Sequence, residues 1–124
     1  MLIKLNMKVP RTTAQQKGAR VVGGHVTFYT KQKVKDALEE YREKLQPYKL
    51  PRPLQGALQV NVRFYYKGKG VWKDTRPDLD NMVKLLLDAM TQEGFWEDDG
   101  QIVMLSMAKM YGEDDGVEIG ITRL

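Results

Sequence analysis

The sequence predicts an α+β domain, a mixed β-sheet with two main helices. Three stretches lead there. Residues 57–66, ALQVNVRFYY, alternate apolar and polar side chains, the period-two mark of a half-buried strand. Residues 31–45 carry Val34, Leu38, Tyr41 and Leu45 at helical spacing. Residues 76–101 repeat that spacing at Leu79, Met82, Val83, Leu86, Leu87 and Met90. The expected order is β, loop, β, α, β, basic loop, α, β, β.

Residues 2–9, LIKLNMKV, alternate well enough for a first strand. PRTTAQQKGARVVGG then reads as a long basic loop carrying Arg11, Lys17 and Arg20. Long loops in compact domains are usually functional or mobile. HVTFYT, 25–30, is a short strand that starts at the one histidine, His25. A lone histidine at a strand start is a weak ligand candidate. Thr30 can cap the helix over 31–45, which ends before Pro47. KLPRPLQG connects to the strand 57–66.

KGKGVWKDTR follows that strand, bringing Lys67, Lys69, Lys73 and Arg76 directly before Asp78. A flexible basic loop beside carboxylates suits phosphate binding. Trp72 within it either stacks on a base or anchors the loop. The second helix is expected over about 78–91, with Asp78 at the N-cap and Asp80 in the first turn. Asp80, Lys84 and Asp88 share its polar face. Gly94 ends it, and Glu97-Asp98-Asp99-Gly100 makes an acidic turn. Phe95 and Trp96 are expected to pack beneath that turn. QIVMLSMAKMYG, 101–112, and GVEIGITRL, 116–124, read as two strands joined by a tight turn. Met104, Met107 and Met110 suit a core or a subunit interface better than a cofactor site.

The helix start gathers Asp78 and Asp80, and a later turn can return Asp98 or Asp99 beside them. Clustered carboxylates repel one another unless a cation stands between them. Such oxygen ligands suit Mg²⁺ or Mn²⁺. The ion can polarise a phosphodiester and lower the pKa of an attacking water. Lys84 can offset charge on the phosphate or leaving oxygen. Ordinary capping and turn chemistry explains the same residues without a metal. A calcium loop does not fit, because Met82 and Val83 stand where an EF-hand needs Asp or Asn and then Gly.

PDLDNMVKLLLDAM followed by GFWEDDGQIV resembles the core motif of the RusA family of Holliday-junction resolvases. The pattern is Asp-x-Asp-Asn-x-x-x-Lys, a short helix, then an acidic pair followed by Gln. It covers roughly 76–103. The resemblance implies a RusA-like fold, with Asp78, Asp80 and Asp99 as metal-binding carboxylates and Lys84 as the catalytic lysine. Asp98 is the lesser member of its pair. The family often has a basic residue directly before the first Asp; here Pro77 holds that place and Arg76 is one step back. The resemblance also implies a DNA-contacting loop in the region of Arg11, Lys17 and Arg20, and a homodimer.

Composition fits that reading. The chain has 124 residues, the size of one domain spanning 1–124. No run of eighteen apolar residues exists, so no membrane span is expected. The first ten residues lack an apolar signal core, and there are no cysteines, which together fit a cytoplasmic protein. Residues 1–77 hold 17 Lys and Arg against 5 Asp and Glu, whereas 78–124 hold 3 against 11. One half attracts polyanions and the other gathers carboxylates. No Gly-rich nucleotide loop or Ser-His-Asp arrangement appears. The expected function is a Mg²⁺-dependent endodeoxyribonuclease acting on four-way DNA junctions. A non-catalytic junction-binding module and a nuclease specific for flaps or forks are the alternatives.

Overall fold

A computed structural model describes residues 1–11 and 32–124 in full, and residues 17–22 and 25–30 as backbone strands. The elements in order are β1 (Leu2–Leu5), β2 (Lys17–Val22), β3 (His25–Thr30), α1 (Gln32–Leu45), β4 (Leu58–Lys67), α2 (Leu79–Gln92), β5 (Ile102–Gly112) and β6 (Gly116–Arg123). Single 3-10 turns lie at Gln46–Tyr48 and Asp99–Gln101.

Four strands form a mixed sheet in the order β1-β6-β4-β5. β4 is central because it is long and apolar along one face. Leu58, Val60, Val62 and Phe64 are buried, while the residues between them are partly or fully exposed. On one side β4 pairs antiparallel with β6, and on the other parallel with β5. A parallel pair needs a crossover, and α2 supplies it. β1 closes the far edge by pairing antiparallel with β6. The alternation of burial that begins in β1 continues to Met7 and Val9 after the strand pairing ends.

The last two strands form as expected, joined by a short turn, but they do not pair with each other: β4 lies between β5 and β6. The crossover puts β5 on the outer side of β4, so the short Glu113–Asp115 turn must carry the chain past the end of β4. One expectation is corrected, that of the basic loop before His25. Residues 17–22 form β2, paired antiparallel with β3 from Lys17↔Thr30 to Val22↔His25. The Gly23-Gly24 pair between the two runs is a two-residue hairpin signature in the sequence. The side chains of Lys17, Arg20 and His25, and the expected Thr30 cap, lie outside the described residues.

The core lies between one sheet face and the two helices. α1 buries Val34, Ala37, Tyr41 and Leu45, and α2 buries Met82, Val83, Leu86 and Met90 among others. Burying a Leu, Phe or Met side chain stabilises by about 2 kcal/mol. α2 stops where Gly94 takes a left-handed φ of 77°. Phe95 N then donates to the Met90 carbonyl at 3.2 Å, closing the helix end. Glu93, the one buried charged residue among the described residues, joins the helices there. It accepts from Arg42 Nε at 2.6 Å and from Gln46 Nε2 at 2.7 Å. Burial of a carboxylate is tolerated because these donors satisfy it. No described helix is long and apolar enough to cross a membrane.

Candidate active site and nucleic-acid interface

The segment before α2 is fixed from below by β5. Beyond β4 the chain lies along the outer edge of the second half of β5. Tyr111 N donates to the Val71 carbonyl at 3.0 Å, and Lys73 N to the Lys109 carbonyl at 3.1 Å. Lys109 Nζ donates to the carbonyls of Thr75 and Pro77, the latter at 2.7 Å. The backbone leading to Asp78 is therefore held against β5 by main-chain and side-chain bonds.

Asp78 occupies the N-cap position of α2 in an extended conformation, but its side chain makes no capping bond. A capping aspartate would have its oxygens turned onto the helix amides. This one is exposed, with its oxygens not turned onto the helix amides. Asp80 lies exposed in the first turn, and Lys84 is exposed one turn later.

The acidic turn is built differently. Asp98 Oδ2 accepts from Gly100 N at 3.1 Å, while Gln101 Oε1 accepts from Glu97 N at 2.9 Å and Asp98 N at 3.2 Å. Gln101 Nε2 then donates to the carbonyls of Leu54 and Gly56. Asp98 is thus part of a capping box. Asp99 is exposed beside it. Phe95 and Trp96 are buried, and Trp96 Nε1 donates to Thr91 Oγ1 at 2.7 Å.

Within one chain this turn does not return to Asp78 and Asp80. Asp99 immediately precedes β5, whereas Pro77 is bound to Lys109 near the other end of that strand. The strand advances about 23 Å from Ile102 to Lys109 at roughly 3.3 Å per residue. Among the described residues no three His, Asp or Glu side chains form a group that could hold a metal. Asp78 and Asp80 offer hard oxygen donors of the kind a divalent cation takes, but among the described residues no third carboxylate is grouped with them.

The basic residues divide in the same way. Lys67, Lys69 and Arg76 are exposed, as is Arg11. Lys73 is partly buried: its Nζ donates to Thr75 Oγ1 at 2.7 Å and lies 4.8 Å from the centre of the Tyr66 ring. Lys73 thereby steadies the turn as well as adding charge. Trp72 is 66% exposed, so its ring does not anchor the loop.

A cavity of about 670 Å³ opens beside Asp78. Its described lining includes Arg11, Lys73, Arg76 and Asp78, together with Lys8, Tyr66, Asn81 and Asp115, which sequence reasoning missed. Burial pushes the Tyr66 hydroxyl up to about 12, against the opposing pull of Arg11. Tyr66 therefore stays neutral at working pH. Asn81 was visible in the sequence as the Asn of the Asp-x-Asp-Asn motif. Lys8, Tyr66 and Asp115 carried no comparable signal, because three separate segments bring them together.

The sequence model of the family Endodeoxyribonuclease RusA matches residues 8–122. The chain belongs to the RusA family. It is 37% identical over 127 residues to the crossover junction endodeoxyribonuclease of Lactococcus phage r1t, covering 94% of this chain and 92% of that relative. It is 44% identical over 50 residues to the crossover junction endodeoxyribonuclease RusA of Escherichia coli K12, covering 40% of this chain and 42% of that relative. The same figures hold for the relative from Enterobacteria phage 82. This RusA-family chain is accordingly an endodeoxyribonuclease, and the family suggests a divalent-metal requirement.

Proposed function

We propose that this protein resolves four-way DNA junctions by paired symmetric nicks, using Mg²⁺ held by Asp78, Asp80 and Asp99. The observation that carries the reading is the exposed Asp78 carboxylate. It stands at a helix start without capping that helix, beside a cavity rich in cations. The names of the phage and bacterial relatives point to the same substrate.

The ion is Mg²⁺, with Mn²⁺ as a substitute, because the ligands are hard carboxylate oxygens. When bound, it polarises the phosphodiester and eases deprotonation of the attacking water. Lys84 offsets the charge that develops on the phosphate or leaving oxygen. Lys67, Lys69, Arg76 and Arg11 draw in the DNA backbone, joined by Lys17 and Arg20 from the hairpin.

The protein acts as a homodimer, and the dimer supplies the missing carboxylate. In β5, Val103, Met104, Leu105 and Met107 are all exposed, from 38% to 60%. This is the outer edge strand of the sheet, and an exposed apolar edge invites pairing. The Val71–Lys73 segment covers only the far half of that edge. Two-fold pairing of the free half runs the copies antiparallel. The start of one β5 then lies against the middle of the other, and the turn that precedes it comes level with Lys109, which holds Pro77. Asp99 of the second copy approaches Asp78 and Asp80 of the first.

The test is incubation of a synthetic four-way junction with and without Mg²⁺, alongside a flap and a linear duplex. Metal-dependent paired nicks in the junction are expected. Junction binding without cutting would instead make the protein a binding module. Preferential cutting of the flap would make it a nuclease of another specificity.

A further inference from the structure

The cavity beside Asp78 has more room and a different lining than contact with a single phosphate requires. Its volume, about 670 Å³, is that of an open cleft with room for a small ligand. Lys8, Arg11 and Arg76 give it cations from two segments of the chain. Those charges alone would suit any backbone phosphate. Asn81 and Asp115 do not follow from that role. The Asn81 amide both donates and accepts, and Asp115 brings a negative charge that a phosphate would avoid.

Asp115 is held in place. Its Oδ1 accepts from Lys67 N at 2.9 Å, which fixes the carboxylate at the cavity wall. A carboxylate in a basic pocket suits a ligand that carries an amino donor as well as an anion. A nucleotide has both: a phosphate, and on three of the four DNA bases an exocyclic amino group.

We propose that this cavity binds one unstacked nucleotide of the DNA strand, with its phosphate against Lys8, Arg11 and Arg76 and its base edge against Asn81 and Asp115. The inference rests on the proposed function in taking DNA as the polymer that crosses Asp78. A base can reach Asn81 only by leaving its stack. That step costs least where pairing is already broken, as at the centre of a junction. The pocket therefore adds preference for branched DNA without reading a long sequence.

The experiment titrates the metal-free protein by NMR with inorganic phosphate, 5′-dCMP and 5′-dTMP. The cytosine nucleotide should bind about tenfold tighter than inorganic phosphate, the scale of one or two added hydrogen bonds to charged groups. The thymine nucleotide, which lacks an exocyclic amine, should fall between them. Lys8→Ala should weaken all three probes. Asn81→Ala should weaken the nucleotides and leave phosphate unchanged, and its amide spectrum reports whether the fold survives. Equal binding of phosphate and both nucleotides, or indifference to both substitutions, overturns the proposal. Junction cutting by the wild-type protein is measured separately. Cutting without nucleotide binding sinks the pocket alone; nucleotide binding without junction cutting sinks the junction reading alone.

Discussion

Lys109 Nζ donates to the Pro77 carbonyl at 2.7 Å, tying the edge strand β5 to the residue before Asp78. The same ammonium reaches the Thr75 carbonyl. Asp78 owes its position to a lysine distant in sequence. Lys109→Met should keep the fold, because the stem still packs, but lose both contacts. Cleavage should slow about tenfold, with more Mg²⁺ needed for half-maximal rate, on the scale of one hydrogen bond to a charged group. A metal titration of cleavage checks this. An unchanged Mg²⁺ requirement would leave Lys109 with a purely structural role.

Lys84→Ala should slow cleavage by about 10²-fold, the scale of losing one charge-stabilising donor. Mg²⁺ affinity should not fall, since an ammonium cannot ligate a cation. Asp80→Asn should abolish cutting while junction binding stays intact or tightens, because one negative charge facing phosphate is gone. Rates at saturating metal and gel shifts in Ca²⁺ separate the two behaviours. Wild-type turnover in either variant would remove that residue from the site.

Glu93 makes stability depend on pH. The hydrogen bond from Arg42, then that from Gln46, holds its carboxyl below the usual range. A lowered folded-state pKa means the stabilisation is present above the unfolded carboxylate value, near pH 4.3 in model peptides. It is lost as pH falls through the folded-state value. Glu93→Gln should therefore lower stability by about 2 kcal/mol at pH 7, and the gap from wild type should close in acid. Denaturant melts at a series of pH values from 7 downward test this. A gap that does not narrow at all as the solution is acidified would make the loss one of packing.

Binding to a junction should weaken steeply with salt through counterion release. Neutralising Lys67 and Lys69 should lower the log–log slope by about 2 units, since both are exposed and free to meet phosphate. Adding Lys73 should change it by less than one further unit, because that ammonium already serves Thr75 and the Tyr66 ring. A slope unmoved by all three places the DNA on another surface.

What was legible in the sequence followed local periodicity. The period-two run gave β4 as Leu58–Lys67 against an expected 57–66, and the three-four spacing gave α2 as Leu79–Gln92 against about 78–91. Gly94 marked the helix end because few other residues adopt its left-handed φ. The relation of β5 to β6 was not legible. A short turn between two apolar runs reads as a hairpin, and only the crossover through α2 decides that β4 comes between them. The site divides along the same line. Asp78, Asp80 and Lys84 share one helix and could be placed by spacing. The position of Asp99 relative to them depends on the direction of β5, which spacing does not encode.

That direction makes a prediction about mixing inactive variants. If Asp99 serves the site of its partner, Asp80→Asn and Asp99→Asn damage opposite halves of each composite site. In a mixed dimer, one site then carries both defects. The other combines an intact helix start with an intact acidic turn. Two separately inactive preparations, exchanged as dimers, should regain roughly a quarter of the wild-type nicking, because half the dimers are mixed and each has one good site. The recovered nicks should be unpaired, leaving a cruciform plasmid open-circular rather than linear. Sites contained within single chains give no recovery at any ratio. Charging the exposed edge with Leu105→Lys should prevent the recovery as well. Sedimentation should then move from twice the 14.3 kDa chain mass toward one copy, while helix content stays unchanged. Full recovery with linearised plasmid would mean that both sites of a mixed dimer are intact, which the opposed placement of Asp80 and Asp99 does not allow.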